Sequence, residues 1–208
     1  MSSKPKLHIA PCSYEAAKFA VERWHYSASM PNGKRVAFGV WEGGDFTGAI
    51  VFGSGANRNI GSPYNLALDE ICELTRIALR RHVWPVTRMG AIALKLLSKE
   101  NPGLRMVVSY ADPARGHHGG IYQGMNWLFV GRTTGTEMIK TPSGAVLHKK
   151  TFNSRYGHNS AKMDGYERVQ GPEKLKYLYP LDDAMRRRVK PLSKPYPKPE
   201  DLPAPEAS

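Results

Sequence analysis

The run EICELTRIALRRHVWPVTRMGAIALKLLSKENPGLRMVVSYA, Glu70–Ala111, decides the fold. Its first ten residues form an apolar stretch with Glu73 and Arg76 set inside it, and read as a central strand over 70–79. Helical spacing follows. Met89, Ile92, Ala93, Leu96 and Leu97 share one face of a helix that starts near Val86-Thr87, and Asn101-Pro102-Gly103 stops it. MVVSYA (106–111) is a second apolar strand rich in valine. Strand, helix, strand in that order is a crossover unit, whose two strands run parallel and lie close together.

The flanking sequence fits an α/β (α+β) domain with a mixed central sheet flanked by helices. Ser13 can cap a helix from about Tyr14 to Trp24, with Ala17, Ala20, Val21 and Trp24 on one stripe. RVAFGVW (35–41), EGGD (42–45) and FTGAIVFG (46–53) read as a β-hairpin, followed by a loop of turn formers, SGANRNIGSPYN. Beyond the crossover come a short glycine-flanked helix near 119–125 and a strand in WLFVGRTT (127–134). EMIKT-PSG-AVLHKKTF (137–152) reads as a second hairpin, LKYLYPL as an edge strand and DDAMRRRVK as a short helix. From Lys190 onward the chain holds six of its sixteen prolines and almost no apolar residues. That composition reads as a disordered, Pro-rich tail over 190–208, with one domain over 1–189.

A chain of 208 residues with 41% hydrophobic and 10% aromatic content can bury a full core. No apolar run approaches the ~18–20 residues that cross a bilayer, and MSSKPKLHIAPCSYEAAKF has no signal-peptide core, so neither membrane nor export is expected. Cys12 and Cys72 stand alone without CxxC spacing, which fits a reducing compartment and argues against a thiolate zinc site. Thirty Lys and Arg against 18 acids give a net charge of +12, which points to a polyanionic partner, nucleic acid above all.

The end of the second crossover strand is crowded with proton-handling groups: SYADPARGHHGGIYQGMNW (109–127). Sites gather outside the carboxyl ends of parallel strands, where loops converge. Asp112 could accept a proton there, and Ser109 or Tyr122 could pass one on or hydrogen-bond an oxyanion. The competing reading is a plain Asp-Pro turn with His117 or His118 capping the next helix. Adjacent histidines point in different directions, so this pair is weak evidence for a metal. Glu73 and Arg76 read either as a buried ion pair or as groups facing a crevice. His25 ends the first helix, where the dipole alone would favour it. The start of the second helix, Arg88 with the Gly90 amide, could hold phosphate oxygens. In HKKTFNSRYGHNSAK (148–162), Lys149, Lys150, Arg155 and Lys162 could meet phosphates, and Phe152 or Tyr156 could stack on an unpaired base.

The order of elements resembles the GNAT acyltransferase fold, whose helix-start amides hold the coenzyme A pyrophosphate. Here the glycine-rich opening reads Arg88-x-x-Ala91-x-Ala93, so coenzyme A is not the donor expected. WHYS (24–27), FGVWEGG (38–44), ELTRIAL (73–79) and NPGLRMVVSYADPARGHHGGIYQGMNW (101–127) resemble the phage Mom family of DNA-modification proteins, over roughly residues 12–160. That resemblance implies conversion of adenine in double-stranded DNA to carbamoylmethyl-adenine, protecting phage DNA from restriction in the host cytoplasm. It implies glycyl-tRNA as donor and leaves room for an iron. It casts Asp112 as proton acceptor, Ser109 and Tyr122 as relay or oxyanion donors, and His25 and Tyr26 as groups closing the site. Arg76 would steady developing charge, and Arg88 with Gly90 would hold the donor. An acetyl-coenzyme-A-dependent N-acetyltransferase and a non-catalytic nucleic-acid-binding module are the alternatives.

Overall fold

The computed structural model describes residues 3–55, 57–157 and 165–201. They group into two compact units. The first is built from the described residues up to Ser109, Gly119–Val130 and Tyr177–Tyr196; the second from Tyr110–His118, Gly131–Lys176 and the described residues from Pro197.

The main sheet has seven strands in the order β1-β2-β3-β4-β5-β10-β6. β2 (Arg35–Glu42) and β3 (Asp45–Gly53) form the hairpin across the Gly43-Gly44 turn, and β4 (Ile71–Leu79) pairs antiparallel with β3. β4 is the middle strand, as its apolar run predicts. α2 (Val86–Glu100) crosses over to β5 (Met106–Ala111), which is parallel to β4. α2 buries Met89, Gly90, Ala93, Leu94 and Leu97 on one face, and Asn101 closes it by returning its N–H and its side-chain amide to the Leu97 carbonyl.

α1 (Tyr14–Trp24) is capped by the Ser13 hydroxyl, which accepts the Ala16 N–H at 3.2 Å. It lays Ala17, Ala20 and Val21 on Ala49, Val51 and Ala78 of the sheet. Small side chains on both surfaces let the helix axis approach closely.

Four elements differ from the sequence reading. β1 (Leu7–Pro11) edges the sheet against β2, in a stretch with no strand expected. β10 (Leu175–Pro180) is not an edge strand: it lies between β5 and β6 (Leu128–Arg132), with Tyr177 and Leu178 fully buried. A short run such as LKYLYPL carries no local mark of which strands will flank it. In the second unit, β7 (Glu137–Lys140) and β8 (Val146–His148) make the expected hairpin and β9 (Glu167–Gln170) joins β7 on its other side. The KKTF end of that stretch is not strand. It opens α4 (Lys149–Tyr156), where Phe152 is the one fully buried side chain among the described residues.

α5 (Asp183–Val189) starts at an Asp182 cap, whose carboxylate accepts the Met185 N–H and pairs with Arg105 at 3.0 Å. Beyond it, Lys190–Leu192 forms a 3-10 turn, the Lys194 N–H donates to the Phe129 carbonyl and the Tyr196 hydroxyl to that of Trp127. The opening of the Pro-rich segment, which composition reads as disordered, is therefore attached through one backbone and one side-chain hydrogen bond.

Candidate active site

β4 and β5 pair only over Ile71↔Met106, Cys72↔Val107 and Glu73↔Val108, and then part. β4 also skips a residue against β3: Phe52 faces Leu74 and Val51 faces Arg76, so Thr75 is a bulge. Parting leaves the Leu74 carbonyl without a strand partner, and the Ser109 hydroxyl on β5 takes it at 2.8 Å. A carbonyl only accepts, so the single Ser109 proton goes to Leu74. The Ser109 oxygen then receives the Tyr122 hydroxyl, also at 2.8 Å.

Tyr122 stands on α3 (Gly120–Gln123). Gly119, at φ +84°, begins that turn beneath the Tyr177 ring, where a Cβ would lie 2.4 Å from a ring carbon. Only glycine meets both demands. The Tyr122 ring lies 5.1 Å from those of Trp127 and Tyr177. Burial pushes its hydroxyl up to about 12, and the charges of Tyr26 and Glu73 push the same way. Tyr122 is thus a neutral donor at physiological pH. Cys72 is raised to about 12 by burial and then by Glu73, and Cys12 to about 11 by burial. Both remain thiols, which removes them as nucleophiles.

His25 and Tyr26 follow α1 in a tight turn, closed by the Ala28 N–H on the His25 carbonyl, with Ala28 left-handed at φ +43°. The two rings stack at 4.3 Å, and Tyr26 is 62% exposed. The Ser27 N–H donates to His25 Nδ1, so the neutral imidazole carries its proton on Nε2. Arg76 braces this turn: Nε donates to the Ser29 carbonyl at 3.1 Å and Nη1 to that of Thr75 at 2.7 Å. Its place is therefore that of a strut beneath His25 and Tyr26.

The start of α2 differs from the sequence reading in detail. Gly90 is the fifth helical residue, past the donors a helix end leaves open; it is buried, and a Cβ there would lie 2.6 Å from the Met125 sulfur. Its service is space, not an amide. The Arg88 guanidinium stacks on the Trp84 ring at 5.1 Å, and Lys4 on the same ring at 5.1 Å. Ahead of the helix, the Glu42 carboxylate accepts the Val83 and Trp84 N–H groups at 2.8–3.1 Å. Nothing local links Glu42, on a hairpin turn, to residue 83, and an acid in EGGD reads as solvated.

Asp112 belongs to the second unit. Its Oδ1 accepts the Ala114 N–H at 3.2 Å, and its carbonyl accepts those of Arg115 and His117 at 3.1 Å. It caps a 3-10 turn over Pro113–Arg115, and Oδ2 makes no hydrogen bond among the described residues. In the same unit Lys149 and Arg168 both hold Glu137, at 2.5 and 3.0 Å, and the Lys149 hydrogen bond keeps that carboxyl below its ordinary range. Arg155 and Tyr156 are exposed on α4. Phe152 is buried among Tyr156 and Tyr166 at 5.0 and 5.3 Å, so it cannot stack on a base. The Lys150 side chain and Lys162 lie outside the described residues. Among the described residues no three His, Cys, Asp or Glu side chains converge on a point that could hold a metal ion. Nor is any described helix long and apolar enough to cross a membrane.

A central strand that parts from its parallel neighbour after a bulge, with α2 between them, is the frame of the GNAT-like fold. An aminoglycoside 6'-N-acetyltransferase from Enterococcus faecium superposes with TM-score 0.50 at 10% identity, over 84% of this chain and 97% of that one. A spermidine/spermine N-acetyltransferase from Vibrio cholerae gives 0.49 at 9% identity, over 88% and 96%. The fold is GNAT-like. In sequence, the Mom protein family model matches residues 6–198, and the chain belongs to that family. The methylcarbamoylase Mom of Escherichia phage Mu is 29% identical over 153 residues, 72% of this chain. The chain covers 63% of that relative's length.

Proposed function

We propose that this chain is a DNA-modifying transferase that puts a glycine-derived carbamoylmethyl group on the exocyclic amine of adenine. Membership of the Mom family, with a methylcarbamoylase of phage Mu among its relatives, carries the reading. The parted β4–β5 pair, with its neutral hydroxyl donors, supports it chemically.

Glycyl-tRNA is the proposed donor, because its ester is already activated. The amine nitrogen attacks the glycyl carbonyl carbon. The carbon–oxygen bond to the tRNA ribose breaks, the leaving oxygen takes a proton, and the amine gives one up. The His25 Nε2–H is the proposed donor to the carbonyl oxygen as charge develops on it. The Tyr122 and Ser109 hydroxyls, whose protons go to Ser109 and to the Leu74 carbonyl, are proposed to join as a relay once substrate takes the place of that bond. Asp112 is proposed as the acceptor of the amine proton from its place in the sequence alone, directly after β5. The glycyl amide and the carbamoylmethyl product are isomers, so a redox-neutral rearrangement completes the reaction; no residue is assigned to it. A paired adenine must leave the duplex, and the exposed Tyr26 ring backed by His25 offers it a stacking surface. Arg155, Tyr156, Lys149, Lys150 and Lys162 are proposed to face DNA, and Arg88 the tRNA. The setting is the cytoplasm of an infected host, and the outcome is protection of phage DNA from restriction.

The test is nucleoside mass spectrometry of plasmid DNA from bacteria expressing the chain. Deoxyadenosine heavier by one glycyl unit, with fragmentation placing the methylene on the amine, is the expected result. An acetyl increment would overturn the donor, and unmodified DNA from folded protein would overturn the reaction.

A further inference from the structure

The acetyltransferase fold implies coenzyme A, and one feature of this chain tests the fit. In that fold the amides leading into the helix after the central strand receive the donor's diphosphate. Here that loop runs from Arg80 to Pro85, and an anion is already on it. The Glu42 carboxylate accepts the Val83 N–H at 3.1 Å on one oxygen and 2.9 Å on the other, and the Trp84 N–H at 2.8 Å. The next residue, Pro85, has no N–H to offer, and the Arg88 N–H is returned to the Pro85 carbonyl.

The arrangement is held from both sides. Glu42 closes β2, paired with Leu7 on one flank and Asp45 on the other. Trp84 is anchored by its ring N–H on the Pro5 carbonyl at 2.7 Å and lies under Lys4 and Arg88. A phosphate entering this loop would have to displace a bidentate carboxylate and would meet its negative charge. Coenzyme A does not fit these residues.

We propose that Glu42 is a donor-specificity residue: a built-in anion that fills the phosphate loop of the fold and excludes donors gripped by a diphosphate. The inference concerns the donor side of the site proposed above and rests on that reading for its bearing on catalysis, but its test does not depend on DNA modification. Donors admitted by such a site are held elsewhere, which suits an aminoacyl ester whose phosphates lie along a nucleic-acid chain.

Isothermal titration of the full chain with coenzyme A and with inorganic pyrophosphate is the experiment, on wild type, Glu42→Gln and Glu42→Ala. Wild type should show no saturable binding of either. Glu42→Ala should bind pyrophosphate more than about tenfold tighter, a change of about 1.4 kcal/mol. Glu42→Gln, which keeps an acceptor on the amides but loses the charge, should fall between. Saturable coenzyme A binding by wild type would overturn the proposal, and this arm holds even should Glu42→Ala fail to fold. So would a folded Glu42→Ala protein no better than wild type. Modified DNA with coenzyme A bound would sink Glu42 alone; unmodified DNA with the expected titrations would sink the DNA reading alone.

Discussion

Ser109 and Tyr122 meet hydroxyl to hydroxyl at 2.8 Å, and the direction of that bond is set by the Leu74 carbonyl on the far side of Ser109. The chain of donors runs from Tyr122 through Ser109 and stops at a backbone oxygen. Both hydroxyls exist in these positions because β4 and β5 part there.

The two ends of this chain should respond unequally to truncation. Ser109→Ala strands a buried carbonyl and a buried phenol, and should cost about 1–3 kcal/mol. Tyr122→Phe leaves Ser109 satisfied by Leu74 and should cost about 0.5–1.5 kcal/mol. Urea unfolding of both variants and the double mutant measures the difference and the coupling. Equal costs with no coupling would contradict the assigned direction.

Alkaline stability should report on Tyr122. Its folded value, about 12, lies above the ordinary 10.0 because burial disfavours the phenolate. The protonated form is therefore the stabilising one: its contribution is complete below pH 10 and lost as pH rises through 12. A difference of this size corresponds to at most about 3 kcal/mol. Tyr64 and Cys72, each raised to about 12 by burial, act with the same sign. Stability measured from pH 8 to 12 should fall less steeply in Tyr122→Phe.

Arg76 should behave as a positioning residue. Arg76→Ala removes the hydrogen bond to the Ser29 carbonyl and frees the turn that carries His25 and Tyr26. Arg76→Lys cannot span Ser29 and Thr75 with one fork and should not restore it. The turn loosens, so proteolysis near 25–29 should accelerate together with the loss of modification. Lost modification with unchanged proteolysis would instead place Arg76 on the substrate.

Asp112 offers a clean separation between cap and base. Asp112→Asn keeps an oxygen for the Ala114 N–H, so stability should stay within about 0.5 kcal/mol of wild type. Its loss of basicity should lower modification by about 10²–10⁴-fold. Asp112→Ala should lose both, with about 0.5–2 kcal/mol from the cap. Full modification by Asp112→Asn would reduce this residue to a turn former.

DNA affinity should fall with salt, log K dropping by about 0.9 per neutralised phosphate for each decade. Arg155→Ala, on the exposed face of α4, should lower that slope by about one such contact without touching stability. Lys149→Ala should differ, because Lys149 holds Glu137. Its stability cost should be small, since the pair is partly exposed and screened by solvent. An unchanged slope in Arg155→Ala would move the DNA contact off this helix.

Local pattern alone determined much of this protein. The alanine stripe of α1, the EGGD hairpin, the apolar run of β4 and the 89–97 face of α2 are all legible, because helix and strand periodicity is written in neighbours a few residues apart. The density of Ser109, Tyr110, Asp112 and Tyr122 at the end of β5 and just beyond it is equally legible. Tertiary structure alone decided that β10 enters between β5 and β6, that β1 exists as an edge, and that Asp112 and Ser109 fall in different compact units. It also decided that Arg76 braces the His25 turn and that Glu42 sits on the amides of Val83 and Trp84. Those relationships join residues some 40 or more apart in sequence. Their geometry depends on where strands pair and part, and pairing over such distances leaves no period for a sequence to display.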